Sequence, residues 1–242
     1  ASLRTWFVYS PVLGWERKPG YRGPVHLDAR EFDASGYLTI DSKQVTDSTA
    51  KRVIFIGDSN TMGYGVPTDA SFVEVVDRLL PGVDTINLGV LGYSSYQGRV
   101  TLDKYLPLLK PDLVVVSFNF NDRRYVVGPS QDGPETFDRV YRASQSAGTA
   151  VRRLLGGVYT FRATRQVMSS AGLVANVQTV KLDTLKPRVD EEQYRTNLAG
   201  MAETARRAGI PLIFVSLRDS PAASSRLWKG INSLTTSDYD AA

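Results

Sequence analysis

Three short polar clusters hold the residues able to do chemistry. The first is Gly57-Asp58-Ser59, which ends the apolar run "VIFIG" and leads into Asn60-Thr61. A serine at the end of a buried strand, ahead of a helix, is a natural place for a nucleophile, and Gly57 allows a tight turn there. A helix N-terminus close by would favour negative charge through its free N–H groups. Asp and Ser are also ordinary capping residues, so this cluster taken alone reads equally well as a turn or a cap. The second cluster, "NLGVLGYSS", offers the backbone N–H of Gly92 with no side chain in the way; it also reads as a strand-to-helix loop capped by Ser94 or Ser95. The third, "SFNFND", offers the Asn121 amide, or an Asx-turn closing a strand. Together a serine, a glycine N–H and an asparagine amide are what acyl transfer needs: a nucleophile, and donors aimed at a developing oxyanion. Arg123 and Arg124 follow Asn121 and are candidates, with Asp58 and Asn60, for binding substrate, though a rim salt bridge explains the arginines equally well.

Such clusters converge only if the elements before them lie side by side. Arg52–Ile56 reads as a buried strand. Phe72, Val75, Val76, Leu79 and Leu80 repeat at three and four residues, which predicts an amphipathic helix stopped by Pro81-Gly82. Asp84–Leu88 is a second strand, Tyr96–Leu109 a second helix, and Asp112–Phe118 a third strand with the unbroken apolar character of a central parallel one. Glu191–Ala208, with Tyr194, Leu198, Met201, Ala202 and Ala205 on one face and Gly209 as C-cap, is a helix. Ile210–Leu217 is a fourth strand. This alternation predicts a three-layer α/β/α sandwich with a parallel sheet and the clusters along the strand C-terminal edge. Residues 1–50, rich in turn signals, form an arm with short strands such as Tyr37–Ile40, packed on a domain of residues 51–242. Residues 123–190, with a helical stretch near Thr149–Ser170, interrupt the pattern as an insertion over one sheet edge.

Composition excludes several classes. The 242 residues carry 29 basic and 25 acidic side chains, a net charge of +4 too small and scattered for a nucleic-acid stripe. The chain has no cysteine, which removes disulfides, thiolate catalysis and cysteine metal sites. It offers no metal-ligand cluster, and no cofactor or metal is expected. No stretch reaches the roughly 18 apolar residues of a membrane span. "GDSNTMGYG" lacks the Gly-Lys-Ser/Thr ending of a phosphate-binding loop.

"FIGDSNTMGYG" resembles the first block of the SGNH, or GDSL, hydrolases. "NLGVLGYSS" resembles the second block, and "NFND" the third, normally Gly-x-Asn-Asp. The resemblance spans about residues 50–218. It implies the flavodoxin-like fold of that family, with Ser59 as nucleophile. It also implies an oxyanion hole made by the N–H groups of Ser59 and Gly92 and the side chain of Asn121. Asn119 stands where the family has glycine. The arm, with "LGWERKPGYRG", is similar to that of bacterial envelope-associated members, so the envelope or periplasm is the expected compartment, with any membrane anchor outside the chain.

The family's fourth block, Asp-x-x-His, is missing. The one histidine, His26, lies in "GPVHLDAR" ahead of the core; Asp219 and Asp238 are followed three residues later by Ala222 and Ala241. The chain reads as an excerpt whose catalytic Asp and His lie beyond Ala242. On that reading residues 1–242 alone are inactive or nearly so. The function expected is an esterase or acylhydrolase acting on a small-molecule, glycan or lipid ester through an acyl-enzyme. The alternatives are an O-acyltransferase acting on a glycan with the same site, and a non-catalytic binding protein of this fold.

Overall fold

The computed structural model describes residues 6–25, 28–32, 38–39, 50–126, 132–133, 136 and 186–216. The helical stretch expected near Thr149–Ser170 and the residues after Ser216 lie outside them, as do His26, Asp219 and Asp238.

The core is a four-stranded parallel sheet. Its strands are β6 (Lys51–Gly57), β7 (Val83–Asn87), β8 (Leu113–Ser117) and β11 (Leu212–Phe214), in the order β11-β8-β6-β7. Strand side chains alternate in direction, so consecutive residues serve opposite faces. Ile54, Ile56, Val114 and Val116 pack on one face with Leu102, Leu106 and Met201, from helices α3 (Ser95–Leu109) and α4 (Glu191–Arg207). Val53, Phe55 and Val115 pack on the other with Val73 and Val76 of α2 (Phe72–Leu79). Helices on both faces make this a three-layer α/β/α sandwich, as the alternation of elements implies.

Two helix faces differ from the sequence reading. In α2 the inward residues are Val73 and Glu74, while Phe72, Leu79 and Leu80 are exposed, Leu79 to 70%. The Val73–Val76 stripe packs on Val53 and Phe55 of the sheet. The Asp77 carboxylate accepts from the Thr85 N–H and hydroxyl on the edge strand β7. In α4 Ala202 is exposed, and the buried polar residue is Asn197. Gly209 follows the α4 C-cap, Ala208, and takes the left-handed conformation at φ 70°.

The N-terminal arm is more regular than expected. A hairpin, β1 (Phe7–Ser10) and β2 (Gly14–Arg17), is followed by an antiparallel sheet of β3 (Arg22–Val25), β4 (Asp28–Phe32) and β5 (Leu38–Thr39). Trp6, Val25 and Phe32 of the arm bury Met62, in the short helix α1 (Ser59–Met62). Leu13 joins the main core. The excursion after β8 leaves and returns at one place, because β9 (Tyr125–Val126) pairs antiparallel with β10 (Lys186–Pro187).

Candidate active site

The strand order decides what meets at the C-terminal edge. The chain runs from β6 out to β7, then crosses back to β8 on the other side of β6. An open α/β sheet forms its ligand crevice where the chain reverses like this. Ser59 leaves β6 at that point, and the loop carrying Asn121 leaves β8 beside it.

Asp58 caps α1. Its Oδ1 accepts from the Asn60 N–H at 2.9 Å and the Asn60 side-chain amide at 3.0 Å. The helix is a single turn of four residues, so its dipole is slight and anion-binding donors must come mainly from elsewhere. Ser59 is half-buried at its first position. Among the described residues no side chain hydrogen-bonds the Ser59 hydroxyl. The turn is held from behind by Gly89, where an added Cβ would lie 2.4 Å from the Met62 nitrogen. Asn87, fully buried, clamps the same place: its amide donates to the Thr61 carbonyl and its Oδ1 accepts from the Gly89 N–H.

Asn121 ties the three clusters together. Its Nδ2 donates to Asp58 Oδ2 at 3.3 Å and to the Tyr93 carbonyl at 3.0 Å. One bond therefore reaches the residue before Ser59 and the other the residue after Gly92. Both amide hydrogens are engaged, the one on Asp58 at the longer distance. Gly92 is half-buried at φ +77°, a conformation that favours glycine.

A family model described as GDSL-like Lipase/Acylhydrolase matches residues 55–231, most of the chain. The chain belongs to the GDSL-like lipase/acylhydrolase family. Among solved structures, AlinE4, an SGNH-hydrolase family esterase, is 18% identical, with 81% of this chain and 76% of that one covered and a TM-score of 0.42. TesA is also 18% identical, over 77% of this chain and 76% of that one, at a TM-score of 0.41. A putative lipolytic protein of the G-D-S-L family from Desulfitobacterium hafniense DCB-2 is 15% identical, over 76% and 71%, at 0.39. The family assignment rests on the sequence match, not on these likenesses. No curated protein matches.

Asp58, expected among substrate-binding residues, is only 3% exposed, and its carboxylate accepts from Asn60 and Asn121. Asn60 is exposed but gives its amide to Asp58. Arg123 and Arg124 are exposed on the loop after Asn121. Their backbone N–H groups donate to Asn119 and Asn121, and the Arg124 carbonyl accepts from Arg188. Among the described residues no group of acidic or histidine side chains could hold a metal ion, and no helix is long and apolar enough to cross a membrane.

Behind the loop lies a polar network that no motif announced. Arg188 donates to the Gly92 carbonyl at 2.5 Å, to Gln97 Oε1 at 2.7 Å and to both carboxylate oxygens of Asp132, at 3.0 and 2.8 Å. Ser94 donates its hydroxyl to Asp132. Asp122 accepts from the Ser95 N–H and hydroxyl, and Asn197 donates to the Ser95 hydroxyl. Asp122 Oδ2 is buried with no hydrogen-bond partner among the described residues.

Burial raises the pKa of Asp122, against the lowering effect of the Ser95 bonds and of Arg188. Burial also raises Asp58, opposed by the Asn60 bonds and helped by the nearby charge of Asp122. From the ordinary carboxylate value of 3.8 up to these raised values, the folded state holds more protons than the unfolded chain. Their contribution to stability is therefore full below 3.8 and is lost as pH rises through that window. Asp122→Asn keeps an acceptor for Ser95 and removes the charge. It is expected to flatten this part of the pH–stability curve and to lower the Asp58 pKa. Thermal unfolding across pH checks the first and carboxyl NMR titration the second; an unchanged curve would remove Asp122 as its source.

Proposed function

We propose that the protein is a serine ester hydrolase working through an acyl-enzyme on Ser59. The observation that carries this is the Asn121 amide, bonded at once to the neighbour of Ser59 and the neighbour of Gly92. It supports the reading because one side chain holds the residues next to Ser59 and Gly92 together.

In the first step Ser59 Oγ attacks the ester carbonyl carbon and gives its proton to a base. The carbonyl oxygen becomes an oxyanion, held by the N–H groups of Ser59 and Gly92 and by Asn121. Asn121 gives up its longer bond, to Asp58, to make this contact. The carbon–alcohol bond then breaks, the alcohol leaves with the proton, and the acyl group stays on Ser59. Water repeats the sequence and releases the acid. The single histidine of the chain is His26; assaying His26→Ala tells whether it is the base.

A non-catalytic binding protein on the same fold is the second reading, motivated by the lack of an Asp-x-x-His sequence. Fluorophosphonate labelling followed by peptide mass analysis decides between them. The hydrolase reading expects the adduct on Ser59 and competition by a short-chain ester. Protein that hydrolyses such an ester and never labels at Ser59 defeats the acyl-enzyme proposal, and full-length protein that neither labels nor hydrolyses is the binding protein.

A further inference from the structure

The loop from Leu91 to Tyr93 is held by its carbonyls. Three successive oxygens each accept from a side chain of a different part of the chain. Leu91 O accepts from the Trp15 indole N–H at 3.0 Å, Gly92 O from Arg188 and Tyr93 O from Asn121. The first of these matters most for the chemistry. The Leu91 carbonyl and the Gly92 N–H belong to one peptide group. That group is trans, since the described residues contain no cis peptide, so its C=O and N–H point in opposite directions within one plane. Whatever fixes the carbonyl aims the N–H.

We propose that Trp15, in strand β2 of the N-terminal arm, is a positioning residue for ester hydrolysis: its indole N–H grips the Leu91 carbonyl and so aims the Gly92 N–H at the oxyanion. This rests on the acyl-enzyme reading above. Trp15 is fixed from several directions. The Tyr93 hydroxyl donates to the Trp15 carbonyl at 2.7 Å, and the two rings meet edge-on at 5.8 Å. The Arg188 guanidinium lies 5.5 Å from the indole centroid. A Cβ on Gly92 would stand 3.2 Å from the indole Cζ2, so the ring lies flush against the glycine. A hydrogen bond to the carbonyl also polarises the peptide and makes its N–H a better donor. The arm is thereby a working part of the site, because its hairpin carries the indole.

The test uses two replacements that remove the indole N–H: Trp15→Phe, and benzothienylalanine at position 15, which keeps the ring volume. The readouts are kcat, KM and the inhibition constant of a boronic acid, whose tetrahedral serine adduct puts an oxygen in the oxyanion position. Losing an oxyanion donor outright costs about 100- to 1000-fold, so loosening one should lower kcat about 10-fold. The boronate should weaken in parallel while KM stays within about two-fold, because the substrate's ground state does not need the aimed N–H. Wild-type kcat and boronate affinity in the isosteric variant would overturn the proposal, as would a fall in thermal stability with kinetics unchanged. Ser59→Ala is run alongside. If that variant keeps its turnover, the acyl-enzyme reading itself fails. If it is inactive while both Trp15 variants match wild type, only the role of Trp15 fails.

Discussion

Ser59→Ala is expected, on the proposed acyl-enzyme mechanism, to lower ester turnover by at least about 10³-fold and to leave the fold intact. On the proposed mechanism the kinetic loss is large because alanine has no oxygen to carry the acyl group. The structural effect is small for stated reasons. The Ser59 hydroxyl has no side-chain partner among the described residues, so no buried group is orphaned. The α1 cap comes from Asp58, whose bond to the Asn60 N–H does not involve the serine side chain. Alanine is also the better helix former at the first position. Unfolding stability should therefore stay within about 0.5 kcal/mol of wild type. Initial rates on a short-chain ester, with urea unfolding of the same preparations, check both halves. Turnover surviving at more than a tenth of wild type takes Ser59 out of the mechanism.

Arg188→Met destabilises the fold by about 3–5 kcal/mol. Arg188 and Asp132 are 14% and 6% exposed, so their charges are shielded from water. Methionine keeps much of the aliphatic stem but strips the Asp132 carboxylate of its cationic partner, leaving Ser94 as its remaining side-chain donor among the described residues. The Gly92 carbonyl and Gln97 Oε1 lose donors in the same step. An uncompensated buried charge, more than the lost bonds, sets the size of the effect. Adding Asp132→Asn removes that charge, and the double variant should recover a substantial part of the loss; the non-additivity measures the coupling directly. Urea unfolding of the four proteins provides the cycle. A single-variant loss below about 1 kcal/mol would mean that the pair is as weakly coupled as one at the surface.

The two variants probe layers of the site that differ in how visible they were beforehand. Ser59, Gly92 and Asn121 stood out because each sits in a short polar cluster that follows an apolar run, and local periodicity shows such junctions well. The parallel strands were legible for the same reason: Ile54, Ile56, Val114 and Val116 leave an unbroken apolar signature. Arg188 gave no such signal, and Trp15 lay in the arm stretch "LGWERKPGYRG" with nothing to tie it to the Gly92 loop. Their partners on that loop are 96 and 76 residues away in sequence. The wrong face of α2 has a related cause. Phe72 and Leu79 satisfy helical spacing as well as Val73 and Val76 do, and only packing against Val53 and Phe55 of the sheet separates the stripes.

The sequence by itself therefore determined the sandwich and the family and named the candidate atoms for acyl transfer, since burial pattern and residue chemistry are written in neighbouring positions. Only the tertiary structure decided where those atoms point. Placing β6 between β7 and β8 brought the Asn121 amide to Asp58 and to the Tyr93 carbonyl. Packing the arm against the Gly92 loop brought the indole N–H of Trp15 to the Leu91 carbonyl. A hydrogen bond is directional, and its direction depends on a partner that only the folded chain brings within 3 Å.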